Sequence, residues 1–349
     1  MPKLRTVALV AGAALLTRRA LRRRVQASPL WPLPALDPPL SGRPRSRALR
    51  LLLTAHEAVA DGVVQLRLEG SGLPRWEPGA HLDLVLPSGL VRQYSLCGDP
   101  EDTSSYTVAT RLVEDGRGGS REVHEQLAEG MELEVRGPRN RFPLVEAPAY
   151  VFVAGGIGIT PVLPMLRALP DGTDWRLLYG GRSRASMPFL EEVSKLAGDR
   201  LTLVAEDEDG RPDLAALFTA VPEGTAVYCC GPEGLMAAVE AHLPEGATLH
   251  LERFTPRANA GGNHAFAVEL RRSERTLTVP ADSTVLAAVR RELPDTAYSC
   301  EQGFCGTCQQ RVLEGEIEHR DELLTDAERH ESMLICVSRA RSDRLVLDM

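Results

Sequence analysis

At 349 residues, with 43% hydrophobic and 25% charged side chains, the chain has the composition of a soluble globular protein with room for two or three domains. A net charge of −8 argues against a nucleic-acid binder, which needs a basic face toward phosphates. The seven cysteines suggest no disulfide framework, which points to a reducing cytoplasm.

The charge is unevenly placed. Residues 1–50 carry eleven basic side chains against one acid, Asp37, so the rest of the chain is acidic enough to suit docking with a basic partner protein. Residues 7–16 form a ten-residue apolar run, followed by Arg18, Arg19, Arg22, Arg23 and Arg24. A helix of that length cannot span a bilayer, which takes about 20 residues. The arginine pair follows the apolar run, which argues against a twin-arginine signal, and no small-x-small cleavage site precedes the basic cluster. Three readings stay open for residues 1–25: a mobile extension, peripheral contact with an anionic membrane surface, or a processed segment. Pro29, Pro32, Pro34, Pro38, Pro39 and Pro44 then describe a stiff linker, so that residues 1–46 stand as an extension.

Residues 47–146 read as an antiparallel barrel or sandwich. Short alternating segments (Val63–Leu68, His81–Leu86, Tyr106–Arg111, Met131–Val135) are separated by turn residues. Within this stretch lies Arg92-Gln-Tyr-Ser-Leu96. An arginine suits a phosphate, an aromatic such as Tyr94 suits a flat ring, and a hydroxyl such as Ser95 suits a ring nitrogen. Gly118, Gly119 and Ser120 offer further N–H and hydroxyl donors to a phosphate. Each of these motifs alone also fits ordinary strand and turn chemistry.

Residues 147–256 change rhythm. Continuous apolar strands (Tyr150–Ala154, Trp175–Tyr179, Leu201–Val204, Ala226–Cys230) alternate with helical stretches (Pro161–Leu169, Glu233–His242), the pattern of a parallel sheet covered on both faces. The first strand runs into Gly155-Gly156-Ile-Gly158-Ile-Thr160-Pro161. Here Thr160 is expected to cap the helix with Pro161 in its first position. A glycine turn before a helix N-terminus lets a pyrophosphate approach free backbone N–H groups. Cys230-Gly231-Pro232 is a second strand end at the same edge, where doubly wound sheets bind ligands. A tight turn with a buried cysteine is the bland alternative. Arg182, in Arg182-Ser-Arg184 after the second strand, suits a ribose 2′-phosphate or a solvated loop, which leaves NADPH open beside the favoured NADH.

Residues 257–264 read as a linker, opening the last unit, 257–349, which holds a predicted hairpin and a helix near Val285–Glu292. Its cysteines are the most specific feature of the chain. Cys300, Cys305 and Cys308 follow Cys-x4-Cys-x2-Cys spacing, with Cys336 further on, the plant-type pattern for a [2Fe–2S] cluster. Gly303 and Gly306 give the loop the backbone freedom to turn around the cluster. Zinc sites usually pair their cysteines as two knuckles, which this spacing does not provide.

Barrel, nucleotide domain and cluster domain, taken together, resemble the phthalate dioxygenase reductase family, which includes the reductases of vanillate demethylases. The resemblance runs from about residue 48 to the end, over Arg92–Leu96, Gly118–Ser120, Pro138–Leu144, Gly155–Pro161, Cys230–Pro232, Glu252–Phe254, Cys300–Cys308 and Cys336–Arg339. It implies FMN, because the ferredoxin-type α+β domain comes last in the chain. It also implies that Arg92, Tyr94 and Ser95 hold the phosphate and isoalloxazine, with Gly118, Gly119 and Ser120 on the phosphate and Arg111 as a further contact. Thr160 and Cys230 would flank the nicotinamide, and Phe254 would shield the flavin face until nicotinamide displaces it.

A nicotinamide gives two electrons as hydride and a [2Fe–2S] cluster takes one at a time, so a flavin belongs between them. The expected path is NADH to FMN to cluster, and on to the Rieske centre of an oxygenase, with no general base or nucleophile required. Two alternatives remain: a reductase for a haem-thiolate monooxygenase or membrane-bound hydroxylase, and a non-catalytic four-cysteine redox sensor.

Overall fold

The computed structural model describes residues 48–114, 116, 118–254, 263–298, 300–304, 306–321 and 323–349. The N-terminal extension, most of the 257–264 linker and Cys305 therefore lie outside the described residues.

Six antiparallel strands form the first sheet in the order β4-β3-β6-β1-β2-β5. They are β1 Ala48–Ala60, β2 Val63–Glu69, β3 Ala80–Val85, β4 Val91–Ser95, β5 Ser105–Arg111 and β6 Glu132–Asn140. A bridge between Leu96 and Val108 joins the two outer strands and closes the sheet into a barrel. Leu51, Leu53, Leu66, Leu68, Leu82, Leu84 and Tyr106 fill it. Each fully buried leucine is worth about 1.5–3 kcal/mol relative to exposure. Sequence periodicity does not reveal β1, because Leu51-Leu52-Leu53 is uniformly apolar. The alternation is real nonetheless: Leu52 is 43% exposed while its two neighbours face the core.

The second sheet is parallel, in the order β11-β10-β7-β8-β9, with β7 Ala149–Gly155, β8 Asp174–Gly181, β9 Leu201–Ala205, β10 Ala226–Cys230 and β11 Thr248–Glu252. Alternate residues of β7 and β10 feed two cores. Phe152, Ala154 and Tyr228 pack under the helix Ile159–Ala168, while Val151, Val153 and Cys229 meet the helix Glu233–Ala241 from the other face. The expected strand-and-helix rhythm is thus present.

The third unit has a mixed sheet in the order β13-β12-β18-β14-β16 and a small ladder of β15 with β17. Its strands are β12 Phe266–Leu270, β13 Arg275–Val279, β14 Gln309–Glu314, β15 Ile317–Glu318, β16 Ser332–Leu334, β17 Arg339–Ala340 and β18 Arg344–Leu347. β12 and β13 are the predicted hairpin, and the helix Val285–Glu292, capped by the Thr284 hydroxyl, packs beneath it. β18 lies in the middle of the sheet, between β12 and β14.

The units touch directly. Arg167 of the helix Ile159–Ala168 donates to the Cys97 and Gly98 carbonyls beside the barrel, each at 2.9 Å. Arg141, just beyond β6, donates to the Leu323 carbonyl of the third unit at 3.2 Å.

Candidate functional site at the junction of three domains

β7 ends at Gly155, a 3-10 turn occupies Gly156–Gly158, and the helix starts at Ile159. Thr160 therefore sits one position inside the helix, and its buried hydroxyl donates to the Ile157 carbonyl at 2.9 Å instead of capping. Pro161 accordingly falls in the third helical position, and the extra turn of 3-10 helix is what displaces both residues from their expected places. The glycines have a second reason to be glycines. A Cβ on Gly158 would fall 2.0 Å from the Cys230 carbonyl oxygen, and one on Gly155 would fall 2.6 Å from Pro232 Cδ. Strand ends β7 and β10 thus pack backbone to backbone. Gly156 alone of the turn faces open space, with φ +55° and Arg111 Nη1 at 4.0 Å from its Cβ position. The Cys230 thiol is buried, which pushes its pKa well above the ordinary thiol value and keeps it protonated.

On the barrel side, Arg92 lies across the start of the helix Gly119–Glu125. A Cβ on Gly119 would fall 2.3 Å from Arg92 Nε, and Gly118 takes φ +78° to make the turn. The Ser120 hydroxyl accepts the Val113 N–H at 3.0 Å, which leaves its proton directed elsewhere. A guanidinium over a glycine turn, beside helix N–H groups, fits a phosphate group. Tyr94 packs against the barrel core, and burial pushes its phenol up to about 12.

Ser95 reaches the opposite way. It is buried, and its hydroxyl donates to Glu252 Oε2 at 3.0 Å. Enclosure of that carboxyl raises its pKa to about 8, partly offset by the Ser95 hydrogen bond. Next in sequence, Arg253 is buried and ion-paired with Glu233 at 3.4 Å and Glu240 at 3.8 Å, which pins the end of β11. Ser95, Glu252 and Phe254 then line one small cavity with Gln93 of β4 and with Gln302 and Phe304 of the cysteine loop. All three units meet there. Glu252, Gln93, Gln302 and Phe304 are site residues that sequence reasoning did not single out. Glu252 ends β11, the last parallel strand, and nothing in the sequence ties it to Ser95.

Cys300, Cys308 and Cys336 are all buried. The pairing of Gln309 with Leu334 sets Cys308 beside the turn that carries Cys336, and the Ile335 N–H donates to the Cys308 carbonyl at 3.3 Å. The Gln302 N–H points at Cys300 Sγ at 3.3 Å, and Gly303 and Gly306 take φ +81° and +74°. Among the described residues no trio of ligand side chains closes on a single point, the fourth cysteine lying outside them. Buried thiols, an amide aimed at a sulfur and left-handed glycines fit an iron–sulfur cluster. Arg182 is exposed, and its carbonyl accepts the Asp207 N–H at 3.1 Å.

Residues 152–241 match the oxidoreductase NAD-binding domain family and residues 268–341 the 2Fe-2S iron-sulfur cluster binding domain family. Fold and site thus define an oxidoreductase with a nucleotide domain and a cluster domain behind a barrel. The chain is 38% identical over 312 residues to the phthalate 4,5-dioxygenase oxygenase reductase subunit of Pseudomonas putida, covering 86% of this chain and 96% of that one. A solved structure of phthalate dioxygenase reductase, described as modular for electron transfer from pyridine nucleotides to [2Fe–2S], superposes with TM-score 0.67 at 37% identity, over 86% of this chain and 98% of that one. The chain belongs to the phthalate dioxygenase reductase family. It also matches part of an intact type IV self-sufficient cytochrome P450 monooxygenase, with TM-score 0.72 and 40% identity, over 93% of this chain but 44% of that one.

Proposed function

We propose that the chain is an NADH-dependent reductase component that passes electrons through FMN and a [2Fe–2S] cluster to a Rieske-type oxygenase. The observation that carries this reading is the junction cavity, where residues from the barrel, the nucleotide domain and the cysteine loop share one wall. Bound FMN would supply the exchange between a two-electron hydride and single electrons. The protein's part is placement. Arg92, Gly118, Gly119 and Ser120 are assigned to the phosphate, Tyr94 and Ser95 to the ring, and Arg111 to the gap between the barrel and Gly156. Gly155, Gly156, Gly158, Thr160, Cys230 and Gly231 shape the nicotinamide side, with Phe254 covering the ring. Cys300, Cys305, Cys308 and Cys336 are assigned as cluster ligands, and the units are taken as residues 47–146, 147–256 and 257–349.

NADH is favoured over NADPH by the acidic helix Glu206–Asp209 beside Arg182. Glu208 pairs with Arg184 at 2.9 Å, so the local field opposes a 2′-phosphate. Among the described residues no helix is long and apolar enough to cross a membrane. The basic, apolar residues 1–25 support peripheral membrane contact, testable by co-sedimentation of the full chain with anionic vesicles.

Anaerobic titration with NADH tests the main reading. Flavin absorbance is expected to bleach while a rhombic [2Fe–2S] paramagnetic signal grows, and no response of either cofactor would refute it. The likeness to part of a self-sufficient P450 favours a second reading, in which the acceptor is a haem-thiolate monooxygenase. Reconstitution with each class of acceptor separates the two.

A further inference from the structure

The outer face of the barrel beside the junction carries a polar seam that the assignments above do not use. His81 pairs with Ser95 of β4 and Arg139 of β6, and Asp83 pairs with Gln93. Cross-strand partners share a face of the sheet, so these side chains lie together while Leu82 and Leu84 turn into the barrel core. His81 and Asp83 are each 2% exposed. His81 Nε2, Asp83 Oδ1 and Gln93 Nε2 are buried with no hydrogen-bond partner among the described residues. The other oxygen of Asp83, Oδ2, is ion-paired with Arg139. Buried polar atoms of this kind are normally met by ordered water.

The seam ends on Ser95, whose hydroxyl holds Glu252. Net oxidation of NADH to NAD⁺, with its electrons passed on one at a time, yields two electrons and one proton. The electrons would leave through a bound cluster, and the proton would be left in an enclosed site. We infer that His81, Asp83 and Gln93 hold a chain of ordered waters that conducts this proton from the Ser95–Glu252 pair to solvent. The inference rests on the reading that NADH is oxidised at the junction. Along the chain each O–H bond that breaks is replaced by one to the next oxygen, and no electron moves with it. The charged groups facing His81 are Arg139 and Arg141, with Asp83 on its own strand and Glu252 beyond Ser95. Burial first, then Arg139 and Arg141, pushes the imidazole down to about 3, so it stays neutral and does not trap the proton.

Two measurements on the full holoenzyme test this. A high-resolution crystal structure should show ordered water within hydrogen-bonding distance of His81 Nε2 and Asp83 Oδ1, and a dry seam overturns the proposal. The second is stopped-flow oxidation of NADH, with ferricyanide as acceptor and a pH-indicator dye present. Proton release in His81→Leu and in Asp83→Asn should lag ferricyanide reduction by about tenfold or more, with a solvent deuterium isotope effect. Release that keeps pace with ferricyanide reduction in both variants overturns the seam. If Glu252→Gln alone delays release, the seam fails while oxidation at the junction stands. Absence of any bleaching in the unsubstituted protein removes the reading beneath both.

Discussion

The nucleotide turn and the cysteine loop both depend on glycine, for opposite reasons. Gly158 is required by a neighbour distant in sequence, the Cys230 carbonyl, which a Cβ would strike at 2.0 Å. Gly303 and Gly306 are required by their own backbone, at φ +81° and +74°. One constraint is tertiary and the other mainly local. A local constraint leaves a signature in spacing, whereas a tertiary one does not.

The largest effect is expected from removal of a cluster thiol. Cys308→Ser should abolish the rhombic paramagnetic signal while leaving NADH able to bleach the flavin, and loss of bleaching as well would show that the units do not work separately. Gly158→Ala should come next, because the clash is with backbone that cannot swing aside. It should cost roughly 3 kcal/mol in chemical denaturation and slow flavin reduction by NADH.

Glu252→Gln probes the meeting point of the two regions. Burial raises the Glu252 carboxyl from the ordinary 4.5 to about 8. A raised pKa means the fold favours the protonated form, so its contribution to stability is complete below about 4.5 and is lost as pH rises through about 8. Glutamine never ionises. Denaturation midpoints should therefore show the variant gaining on the wild type across that interval and levelling off above it.

The smallest effect expected is that of Gly303→Ala, about 1–2 kcal/mol from the left-handed backbone alone. Contact of the new Cβ with Val337 Cγ2 at 2.8 Å should add to it. Gly62, at φ +68° with nothing within 4 Å of its Cβ position, is the control. Equal losses for Gly62→Ala and Gly303→Ala, by thermal unfolding, would show that the loop's constraint is purely local.

The same distinction explains what could be read in the sequence. Cys300 and Cys308 announce a cluster because its ligand geometry fixes their spacing, and Ala226–Cys230 announces a buried strand because it is apolar throughout. β1 stayed hidden because its outward residue, Leu52, is as apolar as its inward ones. The capping role expected of Thr160 failed because a 3-10 turn begins the helix earlier than the glycine pattern suggests. Glu252 became visible only in three dimensions, since its significance depends on Ser95, far away in the chain, and on the walls that exclude water from its carboxyl.

β18 lies between β12 and β14, in the middle of the sheet that backs the cysteine loop. All the cysteines of the cluster pattern precede it in the sequence. The strand that completes the sheet behind them therefore comes last in the chain order of this unit. The sheet behind the thiols is thus complete only when a strand that contributes no ligand is in place, and shelter of the cluster pattern depends on residues outside it.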